Sequence, residues 1–121
     1  MPKILLIEDE DIIVNFLERK LKKSGFEVET AKDGKEGLLK IKQANPDIIL
    51  LDLVLPQING FEILEKIKED ENLKDTPVIV ISNSGRSSEI SRAKELGAKD
   101  WIIKTEFDPQ IIINKIIKII K

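Results

Sequence analysis

The sequence predicts an α/β fold in which helices cover both faces of one parallel sheet. Three observations lead to this prediction. Short apolar runs alternate with longer amphipathic segments five times along the chain. The run at residues 48–51 is apolar at every position, as expected for a strand that is buried on both faces. Glycine, proline, asparagine or aspartate lies between most of the segments and indicates turns there.

The first strand is predicted at residues 4–7, which are all apolar. A helix should follow over residues 11–23, because apolar residues recur there at helical spacing. We expect its buried face to consist of Ile12, Ile13, Phe16, Leu17 and Leu21. Gly25 should end this helix by adopting a left-handed conformation. Residues 26–30 alternate between apolar and polar, which predicts a strand near an edge of the sheet.

Asp33 and Gly34 begin the second helix, which should end near Ala44 because an Asn-Pro pair follows it. The third strand is the fully apolar run at 48–51. A loop rich in turn-forming residues comes next, and the third helix is predicted at residues 61–70.

The fourth strand is predicted at residues 78–81, directly after a Thr-Pro pair. Helix four should cover residues 88–96 and end at a glycine, and strand five should cover 101–103. The fifth helix should begin with Asp108 as its N-terminal cap and Pro109 as its first residue, since proline has no amide hydrogen to leave unpaired there.

Parallel strands joined by helices imply right-handed crossovers, and we expect a doubly wound, flavodoxin-like sheet with strand order 2-1-3-4-5. One domain should comprise all 121 residues. In this topology ligands bind beside the carboxyl ends of strands one and three. Four acidic residues, 8–11, follow the first of these strands, and Asp52 ends the third. The topology and the acidic residues therefore predict the same crevice.

Composition narrows the possible functions. With 20 basic and 22 acidic residues, a net charge of −2 and no basic stripe, the chain is not expected to bind nucleic acid or a membrane surface. The absence of cysteine and histidine excludes disulfides, thiolate metal sites and imidazole chemistry from this chain. No apolar run reaches the roughly 18 residues of a membrane span, and the first residues do not resemble a signal peptide. We therefore expect a cytoplasmic protein.

The predicted crevice contains the side chains that phosphoryl transfer requires. At ~5 Å and an effective dielectric of ~20, each carboxylate pair among Glu8, Asp9 and Asp52 would repel by roughly 3 kcal/mol. Such a site takes up a proton or binds a cation, and oxygen ligands select a hard ion, so we predict Mg²⁺. Ser82 and Lys104, at the ends of strands four and five, add a hydroxyl and an ammonium at the same edge. A carboxylate nucleophile together with these groups suits transfer of a phosphoryl group.

Each residue also has an ordinary structural interpretation. An aspartate after a strand, such as Asp52, is often a turn former, although the Asn59-Gly60 pair already supplies a turn here. We expect Glu10 to be a solvated charge in the first turn of helix one, and Asp11 to cap that helix. A serine or a lysine at a single strand end would be ordinary. The functional prediction rests on the occurrence of these residues at four different strand ends.

Six stretches of the sequence share their order and spacing with a known family. They are ILLIEDE (4–10), DIILLDLVLP (47–56), NG (59–60), VIVIS (78–82), GA (97–98) and WIIK (101–104). In these stretches the chain resembles the receiver domain of two-component response regulators, and the resemblance extends over nearly the whole sequence. It implies a signalling protein that catalyses at most its own phosphorylation and dephosphorylation.

The resemblance implies that Asp52 accepts a phosphoryl group from the phosphohistidine of a sensor histidine kinase or a phosphotransfer protein. It implies that Mg²⁺ is held by Glu8, Asp9, Asp52 and the main-chain carbonyl of Val54. Ser82 and Lys104 occupy the catalytic hydroxyl and lysine positions of the family.

Two positions bear on how the signal would be relayed. The resemblance makes Trp101 a switching aromatic together with Ser82, although Trp101 has a second interpretation as a half-buried residue that packs against helix four. Family members usually have a cis proline after the lysine, but Thr105 stands there. Because a cis bond without proline costs roughly 3 kcal/mol, we expect a trans bond and an altered loop.

Helix four has few apolar residues, so we expect it to move when phosphorylated Asp52 attracts Ser82. Helix five is apolar around most of its circumference, and one sheet face should not cover all of its isoleucines. The face formed by helix four, strand five and helix five should therefore contact an unidentified downstream protein or a second copy in a weak homodimer. We expect a stand-alone regulator without an output domain, or else a fragment of a longer one.

Three other functions are weighed against this one. A dehalogenase-type phosphatase also uses an aspartate at a strand end, but it needs a second carboxylate two residues later, where Val54 stands. A nucleotide or flavin binder would need a glycine-rich first loop, and residues 8–11 are acidic instead. A pseudo-receiver that binds proteins without phosphorylation is the main alternative, favoured by Thr105 and opposed by the complete acidic set.

Overall fold

The computed structural model describes residues 2–55, 58–104 and 108–120, in which five strands alternate with five helices. The strands are β1 (Lys3–Ile7), β2 (Glu27–Ala31), β3 (Ile48–Asp52), β4 (Val78–Ser82) and β5 (Asp100–Ile103). The helices are α1 (Asp11–Lys23), α2 (Gly34–Ala44), α3 (Gly60–Glu69), α4 (Ser87–Glu95) and α5 (Pro109–Ile120). Each predicted element is present, with its predicted bounds correct to within one residue. None of the helices described is both long and apolar enough to cross a membrane.

All strand pairs are parallel, and the order is β2-β1-β3-β4-β5. The predicted doubly wound, flavodoxin-like topology is therefore confirmed. The register pairs Ile7 with Leu51, and Asp52 with Ile81. The carboxyl ends of the central strands consequently lie side by side at one edge of the sheet.

The sheet separates two apolar clusters, because successive side chains of a strand point to opposite faces. On β1, Ile4 and Leu6 pack with α1 and α5, whereas Leu5 and Ile7 pack with α2, α3 and α4. Every residue of β3 and β4 is buried, which confirms the prediction for the run at 48–51. Full burial of one such aliphatic side chain contributes about 1.5–3 kcal/mol. The central strands thus form a rigid platform that ends at the acidic edge.

The prediction for the buried face of α1 was wrong in part. Val14, Leu17 and Leu21 are the buried residues, at the spacing i, i+3 and i+7. Ile12 is 85% exposed and Phe16 is 38% exposed. The apolar residues of this helix cover a wide arc, and two faces fit the helical period nearly equally well. Packing against the sheet selected the face centred on Leu17, which lies about 140° around the helix from Ile12.

The predicted starts of two helices are confirmed by their capping bonds. The Asp33 carboxylate accepts a hydrogen bond from the Glu36 amide at 2.8 Å, at the start of α2. The Asp108 carboxylate accepts one from the Gln110 amide at 2.8 Å, before α5. These side chains satisfy amides that have no partner inside the helix. Gly25, after α1, has a φ of 95°, which confirms the predicted left-handed turn.

Helix α5 presents more isoleucine than the sheet covers, as predicted. Ile112, Ile113 and Ile116 are buried, and Ile111 is 47% exposed. The other three isoleucines of α5 are partly buried against the same core. The predicted change in the loop at Thr105 lies outside the described residues.

Gly60 brings the start of α3 unusually close to the end of β3. A Cβ atom at this position would lie 2.5 Å from the Leu53 Cα and 2.8 Å from the Asp52 carbonyl oxygen. The Gly60 amide donates to the Leu53 carbonyl at 2.9 Å. Any larger residue would push the main chain of the β3–α3 loop away from the sheet edge, and with it Asp52.

Candidate functional site

Four strands deliver polar side chains to the carboxyl edge of the sheet. Glu8 follows β1, Asp52 ends β3, Ser82 ends β4, and Lys104 follows β5. The sheet register places these positions next to one another. An open cleft of about 750 Å³ lies above them, and its lining includes Asp52, Ser82 and Lys104. The four residues that the sequence predicted at four strand ends are therefore brought together.

The Lys104 ammonium lies among three carboxylates. Its Nζ atom donates to Glu8 Oε1 at 2.8 Å, to Glu10 Oε1 at 2.9 Å and to Asp52 Oδ2 at 3.1 Å. The side chains of Lys104, Glu8 and Asp52 are at most 5% exposed, whereas that of Glu10 is 52% exposed. One positive charge thus faces three acidic groups, two of them buried.

This imbalance changes the proton affinity of the cluster. Burial, followed by the neighbouring Asp52 carboxyl, raises the pKa of Glu8 from 4.5 to about 8, although Lys104 acts in the opposite direction. Burial by itself lowers the pKa of Lys104, but hydrogen bonds to Glu8 and Glu10 and the charge of Asp52 together raise it above its ordinary value. The lysine therefore stays charged, and the cluster limits its excess of negative charge by keeping a proton on Glu8 or by accepting a cation.

Asp52 is held in place through both of its carboxylate oxygens. Oδ1 accepts a hydrogen bond from the Val54 amide at 3.1 Å, and Oδ2 accepts from Lys104. The residue is 2% exposed, yet it lines the floor of the cleft. An oriented carboxylate of this kind can act as a nucleophile toward a group that enters the cleft.

The chemistry of the acidic residues suits a divalent cation. One carboxylate oxygen from each of Glu8, Glu10 and Asp52 lies within 4.8 Å of the others. Glu8 Oε2 is buried, and no residue in the described part of the chain forms a hydrogen bond with it. A buried carboxylate oxygen without a partner is costly unless something occupies its lone pairs. Oxygen ligands of this type fit a hard ion, so the cluster could bind a metal.

The acidic residues of the cluster differ from the predicted set in one respect. Asp9 was predicted to stand with Glu8 and Asp52, but it is exposed on the wall of the cleft and lies outside the group of close carboxylates. Glu10 is in that group, so the expectation of a purely solvated charge was wrong. The Lys104 ammonium bonds to residues 8 and 10, whereas Asp9 lines the same cleft without such a bond to Lys104.

Asp11 does not cap α1 as predicted. It is the first residue of the helix, and its carboxylate pairs with Lys32 at 3.1 Å. Glu10 occupies the capping position without a side-chain capping bond, because its carboxylate contacts Lys104 instead. Asp52 does form the turn-type bond of its ordinary interpretation, since Oδ1 accepts the amide of Val54 two residues later, but Oδ2 bonds to Lys104 at the cleft.

Ser84 connects Ser82 with Trp101, a link that the sequence did not reveal. The Ser84 amide donates to Ser82 Oγ at 3.1 Å, and Trp101 Nε1 donates to the Ser84 carbonyl at 2.9 Å. The Ser84 hydroxyl donates to Glu89 on α4 at 2.8 Å. Ser82 itself is 4% exposed, and Trp101 is half-buried. One loop residue therefore joins the cleft, β5 and α4.

The fold and the edge site define a doubly wound α/β domain with an acidic cluster at the carboxyl edge of its sheet, and comparison with known proteins gives the family. The profile of the response regulator receiver domain matches residues 4–117. The chain therefore belongs to this family, which is consistent with the resemblance noted in its sequence.

Similar full-length proteins are response regulators and transcriptional regulators. Response regulator ArlR of Staphylococcus aureus is 36% identical over 121 residues, which cover 100% of this chain and 53% of that protein. The DNA-binding dual master transcriptional regulator RpaA of Synechocystis is 32% identical over 116 residues, which cover 96% of this chain and 48% of that protein. The chain thus spans about half the length of the curated relatives that it matches.

Solved structures of similar size have the same fold. Chemotaxis response regulator CheY4 of Vibrio cholerae is 30% identical with a TM-score of 0.90, and the match covers 98% of each chain. A response regulator described as putative, from Chloroflexus aurantiacus, is 28% identical with a TM-score of 0.92 and covers 98% of this chain and 97% of that one.

The arrangement around Lys104 leads to a first prediction. Replacing Lys104 by methionine leaves two buried carboxylates without their cation, so in the presence of a chelator the free energy of unfolding should fall by roughly 3–5 kcal/mol. In the Lys104→Met background, Asp52→Asn should recover part of that loss, because it removes one of the repelling charges. Urea unfolding of the four proteins of this double-mutant cycle measures the coupling. Strictly additive effects would contradict the charge cluster.

Proposed function

We propose that this chain accepts a phosphoryl group on Asp52 from the phosphohistidine of a sensor histidine kinase or a phosphotransfer protein in the cytoplasm. The observation that carries the proposal is the buried Asp52 carboxylate at the floor of an open cleft, bonded to the Lys104 ammonium at 3.1 Å. A carboxylate that served only the fold would not need to face an open cleft with an unbalanced acidic cluster beside it. Membership of the receiver family supports the same function.

The transfer exchanges one phosphorus bond for another. An Asp52 oxygen attacks the phosphorus atom, a P–O bond forms, and the P–N bond to the donor imidazole breaks with its electron pair staying on nitrogen. Lys104, already within hydrogen-bonding distance of Asp52, neutralises charge on the phosphoryl oxygens. Ser82 stands on the neighbouring strand and donates its hydroxyl to one of them. Attack of water on the same phosphorus later releases phosphate and restores the carboxylate.

We propose Mg²⁺ as the cation of this site, held by Glu8, Asp9, Asp52 and the main-chain carbonyl of Val54. When bound, the ion would supply positive charge to the phosphoryl oxygens during transfer. The close carboxylate oxygens and the partnerless, buried Glu8 Oε2 in the described part of the chain support this assignment. Glu10 is an alternative to Asp9 as the additional acidic ligand, because its carboxylate lies close to those of Glu8 and Asp52.

Relay of the signal is proposed to begin at Ser82. A hydroxyl drawn toward the phosphorylated Asp52 would pull on the Ser84 amide that bonds to it, and Ser84 also holds Trp101 and the first turn of α4. Helix α4 is weakly anchored, since Ala93 is its only buried residue. We propose that a downstream protein or a second copy of the chain reads the resulting change on the face formed by α4, β5 and α5.

The alternative is a protein-binding module that works without phosphorylation. It is favoured by one observation, namely that Lys104 already gives all three carboxylates of the cluster a hydrogen-bond donor. Phosphorylation of Asp52 distinguishes the two functions.

Phosphorylation is tested with a small phosphodonor. Incubation with acetyl phosphate and Mg²⁺ should increase the intact mass by one phosphoryl group, and Asp52→Asn or a chelator should abolish the increase. Asp75→Asn is the matched control, because this aspartate lies on the surface and forms no hydrogen bond within the described part of the chain. A label that persists in Asp52→Asn, or a wild-type protein that stays unlabelled, contradicts the proposal.

Mg²⁺ binding is tested by thermal stability in the absence of any phosphodonor. A ligand at 100 times its Kd stabilises the folded state by about 2.7 kcal/mol, so Mg²⁺ should raise the Tm by several degrees. Asp52→Asn and Glu8→Gln should abolish this rise. Comparing Asp9→Asn with Glu10→Gln then identifies the further ligand, since only the variant of the true ligand loses the effect. An unchanged Tm in the wild type would remove the metal from the proposal.

The relay is tested by the fluorescence of Trp101, the single tryptophan of the chain. Beryllofluoride with Mg²⁺ mimics the phosphoryl group, and we expect a change in emission because the bond from Trp101 Nε1 to Ser84 breaks or shifts. Ser82→Ala should bind the mimic, as judged by Tm, but leave the emission unchanged. An unaltered wild-type spectrum despite binding would exclude this route for the signal.

A further inference from the structure

A second cleft, of about 400 Å³, lies between α2 and α3 and shares no lining residue with the acidic cleft. Its apolar lining comes from Leu38 and Leu39 of α2, from Ile58 before α3, and from Leu73 after it. Leu39 is 56% exposed, whereas Leu73 is buried. The cleft therefore has an apolar floor and one large aliphatic side chain that the fold leaves open to solvent.

Three lysines surround this apolar floor. They are Lys35 and Lys42 of α2 and Lys66 of α3, and all three are exposed. None of their side chains forms a hydrogen bond or an ion pair with residues 2–55, 58–104 or 108–120. Among the described residues that line the cleft, Asp70 is the one acidic residue, and its carboxylate already accepts a main-chain amide at 2.8 Å. The rim thus carries an unbalanced positive charge on a chain whose net charge is −2.

The order of residues along α2 sets the shape of a matching ligand. Lys35, Leu38, Leu39 and Lys42 follow the spacing i, i+3, i+4 and i+7, so they form one stripe about 10 Å long with lysines at its ends. The opposite wall is fixed in position, because Gly34 approaches the Ile58 main chain so closely that a Cβ atom would collide with the carbonyl oxygen. A rigid groove two helical turns long accepts another helix more readily than an extended strand, which would need a free sheet edge.

We propose that the α2–α3 cleft docks an acidic amphipathic helix of a partner protein. Aliphatic side chains of that helix lie between Leu39 and Ile58, and its flanking carboxylates pair with Lys35, Lys42 and Lys66. Charge complementarity favours an acidic helix over a neutral or a basic one. The rim lysines would repel a basic helix. Against a neutral helix they would lose their contacts with water and gain no charged partner in exchange. The proposal does not depend on phosphorylation of Asp52.

The probe is a synthetic peptide of about 16 residues, with leucines at i, i+3 and i+7 and glutamates on both flanks of the leucine stripe. Backbone amide chemical shifts of the full chain should change along α2, at Ile58 and along α3 when the peptide is added. Leu39→Asp and Lys42→Glu should each weaken binding about tenfold or more, and added salt should weaken it further. Circular dichroism and Tm establish that these exposed substitutions leave the fold intact.

Matched controls carry the same changes elsewhere. Ile12→Asp removes another exposed aliphatic side chain, and Lys23→Glu reverses another exposed lysine. Both should bind the peptide as the wild type does, and a peptide of the same composition with its leucines spread around the helix should not bind. The proposal is overturned by no binding, by shifts that map outside the cleft, or by equal binding of Leu39→Asp. It is also overturned if the cleft responds to protein concentration alone or prefers anionic phospholipid vesicles, which would indicate a second copy or a lipid surface.

Discussion

A single ammonium, that of Lys104, lies between carboxylates that come from the ends of β1 and β3. At ~3 Å and an effective dielectric of ~20, each such contact attracts by roughly 5 kcal/mol, and carboxylates ~5 Å apart repel by roughly 3 kcal/mol per pair. The attractions to Lys104 offset the repulsions and part of the cost of burying Glu8 and Asp52, and the cost that remains is reflected in the raised pKa of Glu8, whose largest cause is burial. Lys104 lies 96 residues from Glu8 in the chain, so this contact also joins the two ends of the fold.

The same balance underlies the proposed transfer of a phosphoryl group to this site. Lys104 gives each of the three carboxylates a hydrogen-bond donor, but its single positive charge does not cancel their negative charges. The excess of negative charge is reflected in the raised pKa of Glu8. It is also reflected in Glu8 Oε2, which is buried and has no hydrogen-bond partner among the described residues. Cations are attracted to such a site, and a phosphoryl group brings new oxygens to which Lys104 can turn. Asp52 stays in place meanwhile, because its strand is buried along its entire length and the loop behind it is held by the close approach of Gly60. The unbalanced charge thus destabilises the side chains of the cluster, whereas the main chain of β3 beneath them stays rigid.

Much of this arrangement could be predicted from local sequence, and the exceptions have physical causes. The uniformly apolar run at 48–51 predicted a strand that is buried on both faces of the sheet. The polar residues at four strand ends predicted the functional edge, because the carboxyl ends of parallel strands lie at the same edge. The buried face of α1 was not determined in the same way, since its apolar arc is wide enough for two orientations and tertiary packing chose between them. The choice of Glu10 over Asp9 depends on where a lysine from the far end of the chain places its ammonium. Ser84 was equally hidden, because its contacts to Ser82 and Trp101 are made by main-chain groups, which every residue has.

The acidic cleft and the α2–α3 cleft share one structural boundary, the loop between β3 and α3. Its first residue follows Asp52, and its Ile58 forms a wall of the α2–α3 cleft against Gly34. A ligand in that cleft and a phosphoryl group on Asp52 would therefore act on opposite ends of the same short segment. If either one displaces the loop, linkage requires the effect to be reciprocal: a partner that binds the phosphorylated form more tightly must also favour phosphorylation by the same factor. If the loop keeps its position both when a ligand binds and when Asp52 is phosphorylated, the two sites are independent. The tight contacts at Gly34 and Gly60 determine whether the loop moves.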